Sequence, residues 1–264
     1  MDTFNSNIIK SIDDLEVVQI DASTLICPYF NFTFDNKNLY VIVRNLKDNL
    51  RLDFELINES KIILSFLADS NFKNLKINVN VHSNCSINVY FADFSNGKNT
   101  LNAEINLLEK GSSCYWHLAS LSARDDNKDI EVSINHLSSN TIARVDNFGV
   151  CKDNSKLTFS GTSLIKKGSH SSKTIQNAKI LVFDNNTIAK AKPILKIDEN
   201  DIEASHAAIV GRVNEEHMFY LTSRGLSKNE ARQLITLGYL KPILKGFSIE
   251  EDQQRILSLI EGEL

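Results

Sequence analysis

Between Glu16 and Ile209 the chain is written almost entirely in short alternating runs, and this rhythm restricts its fold more than any other feature. Leu39–Val43, Leu52–Leu56, Ile62–Phe66, Ile77–Val81, Ile87–Phe91 and Ile130–Ile134 each place apolar residues at every second position, the period of a strand. Clusters of Asn, Asp, Ser and Lys separate them, as at 35–38, 95–99 and 125–128, and these are turn-forming residues. One strand in roughly ten to twelve residues suits a sandwich, a barrel or a β-solenoid, and no repeat of fixed length chooses among the three. Capping residues for intervening crossover helices are missing, which argues against a doubly wound α/β sheet.

The texture changes between Pro193 and Lys241. Leu195 and Ile197 share one face of an extended run. After the turn residues Asp198, Glu199, Asn200 and Asp201, the residues Ile202, Ala204, His206, Ala208 and Val210 share one face of another, which Gly211 ends. Three helices are predicted beyond Arg212. The first runs from Glu215 to Thr222, with an acidic start, an apolar patch of Met218, Phe219 and Leu221, and an Arg224-Gly225 stop. The second opens on a Ser227/Glu230 capping-box spacing and runs from Lys228 to about Leu244, with Pro242 kinking or ending it. The third, Ile249 to Gly262, follows a second such spacing at Ser248/Glu251. The expected organisation is a polar lead-in over 1–14, a β core over 15–212 and a helical module over 213–264.

Composition narrows the function classes. A chain of 264 residues that is 42% hydrophobic has enough apolar material for a sizeable core. A formal net charge of −4 argues against a nucleic-acid partner, which requires a basic surface. Cys27, Cys85, Cys114 and Cys151 stand singly without metal-finger spacing, so each reads as a small buried hydrophobe. The N-terminus shows no signal-peptide pattern and no run approaches a membrane span, so a reducing cytoplasm without membrane contact is expected. The phosphate-binding loop G-x-x-x-x-G-K-[ST] is absent, so no nucleotide binding by this chain is expected.

The Pro193–Lys241 stretch resembles the C-terminal signature of the SufB/SufD family of iron–sulfur cluster assembly subunits. The resemblance rests on Pro193/Leu195/Ile197, Ser205-His206, Val210-Gly211, Phe219-Tyr220 and Arg224-Gly225 in that order. His136, Gly149, Asp153, Phe159, Gly161 and Gln176 extend it upstream to about residue 135. It implies a mainly β fold, a right-handed parallel β-helix followed by a small C-terminal α-helical module. Relatives of full length usually carry an N-terminal helical region, for which the reading leaves no room here.

The same resemblance implies roles. SufB-type members carry a cysteine after Phe-Tyr, whereas this chain has Leu221, as SufD-type members do. Ala204 removes a second thiolate that some relatives place before the histidine. The expectation is therefore a SufD-like, non-catalytic subunit. It pairs with a SufB-like subunit, or with itself as a homodimer, and docks a SufC-like ABC ATPase through Arg224, Gly225, Leu234 and Tyr239. A transient iron–sulfur cluster shared with the partner is implied. On pattern alone His206 is first a satisfied structural histidine on an apolar strand face. The resemblance turns it into the candidate iron or cluster ligand, a role open to neutral imidazole. Two other readings stand beside this one. A structural adaptor would need no ligand, and a carbohydrate-processing β-helix would need clustered carboxylates, which the scattered acidic residues do not provide.

The other histidines read as structural or superficial. His217 lies on a helix without H-E-x-x-H, and His136 is expected to orient a turn. In Cys114-Tyr115-Trp116-His117 alternation sends Cys114 and Trp116 to one face and Tyr115 and His117 to the other. His82 and Cys85 flank a turn and form at best a metal pair.

Overall fold

Every strand from Glu16 onward pairs in parallel with the strand one full coil away, and the chain winds as a β-helix. The computed structural model describes residues 7–8 and 15–262; the lead-in expected over 1–14 lies outside them except for Asn7 and Ile8. In chain order the strands are β1 (Asn7–Ile8), β2 (Glu16–Asp21), β3 (Tyr29–Asp35), β4 (Asn38–Arg44), β5 (Leu50–Ile57), β6 (Lys61–Ala68), β7 (Asn74–Val81) and β8 (Ser86–Asp93). They continue as β9 (Lys98–Leu107), β10 (Ser113–Ser122), β11 (Asn127–His136), β12 (Ile142–Cys151), β13 (Lys156–Ile165), β14 (Ser172–Val182), β15 (Ile188–Ile197) and β16 (Ile202–Arg212). Even-numbered strands build one sheet, which β1 joins antiparallel to β2, and odd-numbered strands from β3 build the other. The six runs named from the sequence fall within β4, β5, β6, β7, β8 and β11.

Alternation closes the interior. Inward residues of both sheets, from Val41, Leu52 and Phe54 through Ile87, Trp116 and Ile134 to Phe159, form one apolar column. Aromatic rings stack along it, Phe66 on Phe91 at 5.3 Å between centroids and Phe91 on Trp116 at 6.3 Å. The indole N–H of Trp116 donates to Asn147 Oδ1 at 3.1 Å, which satisfies its one polar atom.

At the corners the polar clusters bond to their equivalents one coil away. Asn74 Nδ2 donates to Asn49 Oδ1, Asn186 Nδ2 to Asn154 Oδ1, and the backbone N–H of Asn96 to Asn71 Oδ1. Asn36, Asn45, Asn49, Asn58, Asn84 and Asn140 all have positive φ, a conformation asparagine tolerates better than most residues. The asparagine-rich turns are thus used twice, for backbone shape and for cross-coil hydrogen bonds.

The helices lie on the outer face of the even-numbered sheet. They are α1 (Glu215–Ser223), α2 (Lys228–Leu240) and α3 (Glu250–Gly262), with a 3-10 segment over Lys241–Gly246. Pro242 ends the middle helix at Leu240, four residues before its expected limit, by interrupting the backbone bonds there. Ser227 and Glu230 form the reciprocal capping box. At the start of α3 the N–H groups of Asp252 and Gln253 both donate to the Ile249 carbonyl. Leu240, Ile243, Phe247, Ile256 and Ile260 join Tyr40, Ile42, Leu67, Phe94 and Leu121 in a second apolar core. Arg44 clamps Asp252 with two guanidinium bonds of 2.6 Å, tying β4 to α3.

One cross-coil contact predicts a pH dependence. His82 bonds to Glu55 through Nε2 and to Glu109 through Nδ1, bridging the ends of three coils. Partial burial opposes its charge, but the two carboxylates outweigh this and raise its pKa above the ordinary histidine value. A raised pKa contributes stability that is fully present below the unfolded value of about 6.5 and is lost as pH rises through the folded value. The melting temperature of the native chain should therefore exceed that of His82→Gln most at pH 5.5–6. The gap should shrink as pH rises. A gap independent of pH would show that the imidazolium is not what the carboxylates hold.

Candidate functional site

The last coil, β15 and β16, leaves the end of the β-helix open. Among the described residues β15 pairs only with β13 and β16 only with β14. His206 stands on β16 directly above Gln176 of β14, between Ala204 above Thr174 and Ala208 above Ala178. Thr174, Gln176 and Ala178 are buried and point into the helix, so His206 shares the inward face, yet no coil covers it and it is exposed. On β15 the same layer is completed by Ala189, Ala191, Pro193 and Leu195. The imidazole thus rises from an apolar floor at the open end.

Beneath it the column turns polar. The amide of Gln176 reaches across the interior to Ser163, whose hydroxyl also receives the hydroxyl of Thr174 at 2.9 Å. Gly161 makes room for this reach, since a Cβ there would lie 2.8 Å from Gln176 Oε1. Gly149 likewise makes room on the preceding strand, β12, where a Cβ would meet Leu157 and Phe159 of β13. His136 is fully buried and its Nδ1 lies 2.7 Å from Thr141 Oγ1, which in turn meets Ser172 Oγ at 2.8 Å. Burial pushes the His136 pKa down to about 4, so it is neutral and fixes the corner between β11 and β12. Asp153 sits at another corner, accepting from the Arg124 N–H while its own N–H donates to Asp184. The upstream residues of the family pattern therefore build the last coils and the layer under His206.

The remaining candidates separate. Cys85, Cys114 and Cys151 are buried, and burial pushes the Cys114 thiol up to about 12 and the Cys151 thiol up to about 11, which withholds the thiolate. Cys27 is exposed, unlike the buried hydrophobe expected. His82 faces outward to its carboxylates while Cys85 points inward, so they make no metal pair. His217 is exposed. His117 faces outward as alternation requires, but the helical module partly buries it; it stacks on Tyr90 at 4.7 Å and its Nδ1 lies 3.7 Å from Asp146. Burial, together with Arg144 and Lys245, lowers its pKa despite Asp146.

On the module, Phe219, Tyr220 and Leu234 are 74%, 56% and 50% exposed, and α1 buries none of its residues. Arg224 covers the Tyr220 ring at 5.2 Å, and Gly225 follows with φ of +97°, the left-handed turn that ends a helix. Tyr239, by contrast, packs edge-on against Phe148 of β12 and is partly spent inside the molecule. Two features lay beyond any local sequence signal. The Arg44–Asp252 clamp joins residues 208 positions apart, and Gly246 is required by a neighbour that only the fold brings there.

The molecule is thus a parallel β-helix with a C-terminal helical module and an uncovered histidine at the open end of the helix. The profile described as "SUF system FeS cluster assembly, SufBD core domain" matches residues 48–239, and the chain belongs to this family. It is 37% identical over 116 residues to the iron-sulfur cluster assembly protein SufD of Bacillus subtilis (strain 168), covering 44% of this chain and 26% of that protein. It is 28% identical over 130 residues to SufB of the same organism, covering 49% and 28%. A SufBD family protein of Mycobacterium leprae is 31% identical over 115 residues, covering 44% of this chain and 13% of the relative. These matches span between about an eighth and about a quarter of the relatives' own lengths. Among the described residues no helix is long and apolar enough to cross a membrane.

Proposed function

We propose that the chain is a SufD-like, non-catalytic subunit of a cytoplasmic iron–sulfur assembly scaffold, with the cluster as its cargo. The open end of the β-helix carries this reading, because it presents two unpaired strand edges and His206 together. A SufB-like subunit docks there edge to edge. Leu221 offers no ligand at the position where SufB-type members place a cysteine. Among the described residues no group of three His, Cys, Asp or Glu side chains could hold a metal, so a cluster at His206 takes its other ligands from the partner. Phe219, Tyr220 and Leu234, with Arg224 and Gly225, give a SufC-like ATPase an apolar surface bordered by a cation. Tyr239, packed edge-on against Phe148, is the remaining candidate for that docking surface.

The test is anaerobic co-expression with a SufB-like subunit and an ABC-type ATPase, with iron and sulfide assayed on the purified complex. His206→Ala should leave the complex intact and reduce bound iron by about tenfold or more, as expected for loss of a ligand. Unchanged iron in an intact complex would favour the adaptor reading. Failure of the complex to form would remove the docking assignments as well.

A further inference from the structure

The two free edges of the open end differ in charge, and, given the edge-to-edge docking proposed above, the difference specifies the partner. On β15 the residues Ala189, Ala191 and Ile197 stand in register over the buried Leu157, Phe159 and Ile165 of β13. The alternate residues Ile188, Lys190, Lys192, Ile194 and Lys196 therefore face outward. Their outward neighbours on β13 include Thr158, Ser160 and Leu164 beside the three lysines, so that strand supplies no carboxylate to neutralise them. The N–H groups of Ile188 and Asp198 donate to Ser155 and Ile165, which turns the even-numbered backbone groups toward β13 and the odd-numbered ones toward the free edge. Pro193 is odd-numbered, so the middle of that edge has no donor.

We propose that β15 rejects a second copy of this chain and accepts the edge strand of a different chain that bears carboxylates on its outward face. A second copy would meet β15 antiparallel across a two-fold axis. Each register that overlaps most of the strand with outward faces together brings lysines opposite one another. The pairs are Lys192 with Lys192, Lys190 with Lys192, Lys190 with Lys196, or Lys192 with Lys196. β16 raises no such objection. Its outward residues are Glu203, Ser205, Ala207, Ile209 and Gly211, and self-pairing centred on Ala207 sets Glu203 against Gly211 and Ser205 against Ile209. Discrimination therefore resides in β15. Edge lysines oppose homotypic pairing, and a carboxylate strand converts each repulsion into an attractive cross-strand pair.

The chain with Lys190→Glu, Lys192→Glu and Lys196→Glu serves as the surrogate partner. In sedimentation velocity at low salt, neither the native chain nor this variant should pair through β15, so each should self-associate more weakly than their mixture. Their equimolar mixture should dimerise at least about tenfold more tightly than either alone, and high salt should weaken it. In the mixture the amides of Ala191 and Leu195, which face the free edge, should gain protection from hydrogen exchange. A neutral variant, Lys190→Thr with Lys192→Thr and Lys196→Thr, should self-associate more than the native chain, independently of the glutamates. Self-association of the native chain as tight as the mixture, with Ala191 and Leu195 protected, would overturn the charge selection while leaving edge docking in place. A mixture that stays monomeric would overturn both.

Discussion

Asp93→Ala is expected to destabilise the chain by about 3–5 kcal/mol, because it strands a buried ammonium group. Lys128 lies at the start of β11 and is fully buried; its Nζ donates to Asp93 Oδ1 at 3.0 Å and approaches the Asp93 carbonyl at 3.4 Å. The carboxylate is also buried and accepts from the hydroxyls of Ser95 and Ser120. Alanine removes the counter-charge and leaves Lys128 with one weak carbonyl contact in a corner closed to water. The ammonium is then held without a counter-charge unless the coil opens, and either costs free energy. Lys128→Met alone is costly for the mirror reason, although the two serines still serve the carboxylate. The double variant Asp93→Ala/Lys128→Met should recover part of the loss, since no charge is then buried, although alanine leaves the carboxylate's space empty and the hydroxyls of Ser95 and Ser120 without that acceptor. Urea midpoints measured at one pH report all three variants. A single-variant cost below about 1 kcal/mol would mean that water reaches the pair.

The strands were legible in the sequence because each is half-buried and alternates, but their winding was not. In the even-numbered sheet Asn38 pairs with Lys61, Lys61 with Ser86, Ser86 with Ser113, Ser113 with Ile142, and Ile142 with Lys173. Successive coils therefore lengthen from 23 to 25, 27, 29 and 31 residues. A fixed repeat along the chain is obscured because the coil widens over most of its length, before the last step from Lys173 to Glu203 returns to 30 residues. Sandwich, barrel and solenoid stayed indistinguishable by rhythm, and resemblance chose among them. His206 was legible as an isolated imidazole on a strand face. That the face is the inward one, left uncovered by the last coil, depends on register with Gln176 and Ala178. Tyr239 is expected on the docking surface that the resemblance implies, but Phe148 occupies one side of its ring. Phe148 belongs to a strand about ninety residues earlier, and no helical periodicity could show it.

Gly246→Ala should lift the 3-10 segment off the β-helix, at a cost of about 3 kcal/mol. A Cβ at this position would lie 1.9 Å from Tyr90 Cγ and 2.4 Å from Cβ and Cδ1, so the root of the ring is in the way rather than a movable tip. The ring cannot swing aside freely, because its other contacts include His117, stacked at 4.7 Å. The segment must lift instead, and with it go the Ser65 hydroxyl bond to the Gly246 carbonyl and the seating of Ile243 and Phe247. The Arg44–Asp252 clamp beyond it would hold α3 while the 3-10 segment is displaced, so strain concentrates between Leu240 and Ser248. Limited proteolysis should cut the variant in that interval under conditions that spare the native chain, and its melting temperature should fall. Tyr90→Gly removes the obstruction, Cβ included, so adding it to Gly246→Ala should cost less than the two changes summed. Strict additivity of the pair, or an uncut and unshifted single variant, would show that the module is seated by its helices alone. A seam that tight couples the 3-10 segment to the sheet, so the ATPase docking proposed above would have a packed route from α2 to the β-helix.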